Sequence, residues 1–212
     1  MEAVRIPLKV LALVTIGVVA VEILARWVIA RNLAPLLIGI GTARLLDITL
    51  ILTILRACRV SWPQVGLGRD TWSTGLRRGL WWSAGFGAAA AIGFFGANLI
   101  GFDLLRLLRP PSSVRGNAAL FFLVGAFIAP LAEEIYFRGL LFGYLRRWGF
   151  GSALVVSTAV FAALHAGAAA IPFTQVIGGV VFAAAYEREK SLLAPLTIHV
   201  LGNLAIFSLA YI

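Results

Sequence analysis

The chain has 212 residues, of which 61% are hydrophobic and only 13% charged, whereas a soluble domain carries about 25% charged residues. With mean hydropathy +0.96 and repeated apolar runs about 20 residues long, it reads as a single membrane domain over 1–212: all-α, a polytopic bundle of about seven transmembrane helices. The net charge of +9 does not call for a nucleic-acid partner, because the arginines are scattered in loops between apolar spans. The lone cysteine, Cys58, excludes an internal disulfide and a cysteine-based metal cluster.

The predicted spans are 7–30, 34–56, 79–102, 118–145, 150–166, 170–186 and 192–212. Arg5 and Lys9 before an apolar run faintly resemble a signal peptide, but the run continues past Ala20 and is read as an uncleaved first span. Glu22 and Arg26 in span one are spaced i,i+4, and Arg44 and Asp47 in span two i,i+3, so each is expected to form a local ion pair. The loop 57–78, with Trp62 and Trp72, is expected on the cytoplasmic surface, and Trp81, Trp82 and Trp148 suit interfacial anchoring. Asn98 is expected to hydrogen-bond across helices, and the segment 102–109 to lie at the interface. Spans five and six are short, and are expected either to be tilted little or to be linked by a turn within the membrane near 167–172. With strict alternation, eleven Lys and Arg collect on the N-terminal side against five on the other, which puts the N-terminus in the cytoplasm.

Span four carries Glu133-Glu134-Ile135-Tyr136-Phe137-Arg138-Gly139 inside an otherwise apolar run. One charged side chain at mid-bilayer costs roughly 2.5–3.5 kcal/mol on insertion scales, so three together mark a functional candidate. Glu134 and Arg138 are i,i+4 and can pair, which leaves Glu133 about 100° round the helix without a local partner. A carboxylate so placed suits general-base work; a purely architectural charge cluster is the competing reading. The two histidines of the chain, His165 and His199, fall in spans five and seven, and Asn203 follows His199 at i,i+4. Gly202, with Ala194 and Ala205, would let another helix approach. Counted at ~1.5 Å per residue from the predicted cytoplasmic ends, Glu133, His165 and His199 reach similar depth. Together they offer a base, an imidazole and two groups able to stabilise an oxyanion.

Three stretches, Glu133-Glu134-Ile135-Tyr136-Phe137-Arg138, Phe161-Ala162-Ala163-Leu164-His165 and His199-Val200-Leu201-Gly202-Asn203, resemble in order and spacing the motifs of the CPBP family. These are the CAAX proteases and bacteriocin-processing (Abi) proteins; the resemblance covers a catalytic-motif core of about 125–207. It implies an intramembrane endopeptidase in which Glu133 activates water with help from His165. His199 and Asn203 would then stabilise the tetrahedral oxyanion, and Glu134 and Arg138 would support the site. Glu133, His165 and His199 could also form a three-ligand zinc site with an open position; a metal-free, glutamate-dependent route without cofactor is favoured, because it gives Asn203 a role. Expected partners are membrane lipid and a membrane-associated protein or peptide substrate, in a bacterial inner (plasma) membrane. The alternative from another class is a non-catalytic scaffold, a subunit of a larger membrane-protein complex that keeps the protease fold.

Overall fold

Backbone amides in hydrocarbon have no water to bond, so a spanning chain must satisfy them within itself, and a helix does so segment by segment. Accordingly the computed structural model, which describes residues 6–102, 117–166 and 173–208, is built of helices and shows no strand among the described residues. Its order is α1 (Leu8–Ala30), α2 (Leu36–Ala57), α3 (Trp72–Leu99), α4 (Ala118–Trp148), α5 (Phe150–His165), α6 (Phe173–Glu189) and α7 (Leu193–Ser208). The segments Leu8–Ala30, Leu36–Ala57, Arg69–Leu99 and Ala118–Trp148 are long and apolar enough to cross a membrane. The fold is a helical membrane bundle.

α1 packs along α2, α5 along α6, and α3 against α7. Small residues permit the close crossings. At Gly79 a Cβ would stand 2.7 Å from Thr197 Cβ and 2.9 Å from the Ala194 carbonyl oxygen. This contact explains why α3 begins at Trp72, earlier than the expected 79: Gly75 and Gly79 must already be helical to meet α7. Gly202, expected to admit a neighbouring helix, has nothing within 4 Å of the place its Cβ would take. Asn98 is exposed and makes no side-chain hydrogen bond among the described residues, because the second half of α3 leaves the bundle.

The loop 57–78 is not a surface loop throughout. Ser61 and Gln64 cap a short 3-10 turn, Trp62–Val65, in reciprocal fashion, and Val65 is fully buried. The turn closes on Gly66 at φ 76°, left-handed, where its carbonyl accepts the Leu192 amide at 2.8 Å. A side chain there would strike the Tyr186 ring, so glycine is required both by the backbone and by space. The loop thereby pins the α6–α7 junction. Of the interfacial segment expected at 102–109 only Phe102 is described, and the turn expected at 167–172 lies outside the described residues.

α4 is irregular where it matters. Two π-helical segments, Leu123–Ile128 and Ile135–Phe142, flank the α-helical turn Ala129–Glu134 that holds both glutamates. Pro130 has no amide proton to donate into the preceding turn, and the wide turns absorb that interruption. Such segments are common at functional sites.

Candidate active site

Glu133 and Glu134 leave α4 on neighbouring faces and meet different partners. Glu134 is 0% exposed, and its Oε1 lies 3.3 Å from Arg138 Nη1, the expected i,i+4 pair. The same oxygen accepts a hydrogen bond from His199 Nδ1 at 2.8 Å, across from α7. Glu133 turns the other way: its Oε1 is 3.6 Å from His165 Nε2 on α5, and its Oε2 is 3.8 Å from His199 Nε2. His165 is held in turn by its Nδ1, 2.8 Å from the Phe161 carbonyl oxygen.

These bonds set the tautomers. A backbone carbonyl and an ionised carboxylate can only accept, so each Nδ1 carries a proton. Both Nε2 atoms are turned toward Glu133. The side chains are graded in access, from Glu134 at 0% through Glu133 and His199 to His165 at 30%, so the cluster opens on the His165 side.

Asn203 sits one turn beyond His199, and both side chains face α4 as their spacing suggests. Its Nδ2 donates to the Gly125 carbonyl oxygen at 2.9 Å, in the first π segment. A Cβ on Gly125 would come within 2.7 Å of the Phe207 ring, so the bare backbone lets α7 close on α4 at this level.

Arg138 is 1% exposed and is surrounded by aromatic faces. Its Cζ stands 4.8 Å from the Phe161 ring centre, 5.1 Å from Phe182 and 5.8 Å from Phe137. Desolvated cation–π contacts are worth about 2 kcal/mol each, which helps hold a cation far from water. Phe182 also stacks on His199, with centroids 4.6 Å apart and planes at 20°. No motif pointed to Phe182: an aromatic inside an apolar span carries no signal of what it stacks on.

The charges of the first two spans are arranged differently from expectation. Arg44 does pair with Asp47, at 3.2 Å, but Glu22 reaches across to Arg44 Nη1 at 2.6 Å and has no bridge to Arg26. Arg26 points outward on α1, whereas the half-buried Glu22 faces α2 and takes the partner that shares its interface. α2 packs on α4.

A zinc ion would draw on the same three side chains, Glu133, His165 and His199. Each Nε2 faces a different oxygen of Glu133, at 3.6 and 3.8 Å.

No curated protein and no solved structure matches the chain. Residues 115–205, which contain every side chain of the cluster around Glu133, match the family model described as type II CAAX prenyl endopeptidase Rce1-like. With four helices long and apolar enough to span, this is an integral membrane protein. Over that segment the chain is similar to the CAAX-protease family that the three motifs resemble.

Proposed function

We propose that this chain hydrolyses a peptide bond of a membrane-associated protein or peptide with a water activated by Glu133, without a metal ion. The observation that supports this most is the convergence of two histidine Nε2 atoms, from α5 and α7, on one carboxylate of α4. The separations of 3.6 and 3.8 Å are too long for good direct hydrogen bonds, yet a water beside the cluster would reach Glu133 and His165 at once.

Glu133 takes a proton from that water while the His165 lone pair orients it, and the water oxygen attacks the scissile carbonyl carbon. The carbonyl oxygen becomes an oxyanion. Asn203 has a second amide proton beyond the one on Gly125 and serves as its donor. His199, with Nδ1–H committed to Glu134, donates from Nε2 only when both ring nitrogens carry protons. The tetrahedral species then collapses, the C–N bond breaks, and Glu133 returns its proton to the leaving nitrogen. Glu134, Arg138 and Phe182 hold His199 in place throughout.

The family description attaches to prenyl-protein CAAX bonds, so a prenylated C-a-a-X peptide is the first substrate to try. In purified protein reconstituted in lipid, Glu133→Gln and His165→Ala should each lower cleavage by at least about a hundredfold, with helix content unchanged. Retained cleavage in both folded variants would overturn the assignment.

A further inference from the structure

Away from the candidate site, α3 and α6 border an open cleft of 430 Å³ lined by Arg78, Trp81, Trp82, Gly85, Phe86, Val181, Arg188 and Glu189. Its shape follows from how α3 meets the bundle. At Gly79 the helix is in such tight contact with α7 that no Cβ fits, but at Gly85 nothing lies within 4 Å. The wall therefore opens as α3 runs on from Arg78.

The cleft is polar at one end only. Arg78 and Arg188 flank Glu189 at 3.8 and 3.9 Å and are 58% and 77% exposed. Among the described residues neither guanidinium donates a hydrogen bond to a side chain or a carbonyl. Glu189 is instead fixed by Trp82, whose Nε1 donates to it at 3.0 Å. Two arginines against one carboxylate leave a net positive mouth. Phe86 lies eight residues past Arg78 and Val181 seven before Arg188, so the apolar floor is roughly 10–12 Å deeper along the helices. Trp81, 72% exposed, forms its side.

We propose that this cleft binds one anionic phospholipid, its phosphate between Arg78 and Arg188 and its glycerol and acyl portion against Trp81, Gly85, Phe86 and Val181. Charge complementarity selects the headgroup, and an apolar floor continuous with the membrane selects a lipid over a free anion. Basic side chains near the surface attract anionic headgroups, and tryptophan bodies suit the interfacial depth.

The test is native mass spectrometry of the full chain released from micelles containing equal phosphatidylglycerol and phosphatidylcholine. One phosphatidylglycerol per chain should be retained in preference to phosphatidylcholine. Removing one arginine should weaken retention about fivefold, and Arg78→Gln with Arg188→Gln about thirtyfold. Arg77→Gln, an exposed arginine outside the cleft, should leave it unchanged, and Arg78→Lys with Arg188→Lys should keep most of it. Gly85→Phe, which fills the floor and spares both arginines, should abolish it. Equal retention of the two lipids, an equal loss in Arg77→Gln, loss in the folded lysine variant, displacement by inorganic phosphate, or full retention in Gly85→Phe would each overturn the proposal.

Discussion

Replacing Glu134 by Gln isolates what the buried charge contributes. The amide oxygen of Gln can still accept the proton of His199 Nδ1, so the 2.8 Å contact has a successor of the same shape. Arg138 has no such substitute. It is 1% exposed, and among the described residues its one ion pair is with Glu134 and its Nε and Nη1 have no hydrogen-bond partner. Removing one member of a buried ion pair costs about 3–5 kcal/mol, because the other charge is left desolvated and uncompensated. The three phenylalanine rings remain around the guanidinium, so the loss should fall near the lower end, about 3 kcal/mol. For a chain of this size that is roughly 6–12 °C in Tm. Unfolding by SDS titration in mixed micelles measures it. The double change Glu134→Gln with Arg138→Met removes the orphaned charge and should recover most of the loss. A single variant destabilised by less than about 1 kcal/mol, or a double variant less stable than the single, would refute the reasoning.

Two further outcomes follow from the same geometry. Phe182→Leu removes the ring that stacks on His199 and faces Arg138; kcat should fall about tenfold or more with KM little changed, since a positioning loss of about 1.4 kcal/mol corresponds to a factor of ten. Rescue by Phe182→Tyr would distinguish the stack from bulk packing. Treatment with EDTA or 1,10-phenanthroline should leave cleavage of a prenylated peptide unchanged, as a glutamate-activated water requires no metal; loss restored by added zinc would replace that mechanism with a metal-bound one.

Much was legible from residue order alone. Apolar runs of spanning length dictate helices because lipid offers no partner for a free amide, and α1, α2 and α4 begin within a few residues of where those runs begin. The Glu134–Arg138 pair was legible for the same local reason: i,i+4 spacing on one helix. The three motifs located the residues that converge around Glu133, because polar groups are costly in hydrocarbon and so stand out against it.

Partner choice between helices was not legible. Spacing suggested Arg26 for Glu22, yet Glu22 bonds Arg44, because the α1–α2 crossing faces one arginine inward and leaves the other outside. Composition suggested Gly202 as the close-contact glycine, yet Gly79 has that role, since a small residue matters only where a neighbour arrives.

Glu133 and Glu134 show the division most clearly. Sequence determined that two adjacent carboxylates occupy a membrane helix and that one can pair with Arg138. Only the tertiary structure decided that Glu134 also holds His199 while Glu133 receives both histidine Nε2 atoms. The glutamates lie between two π segments, whose wide turns shift the register of every face along α4. A regular 100° per residue therefore cannot say which helix each carboxylate meets.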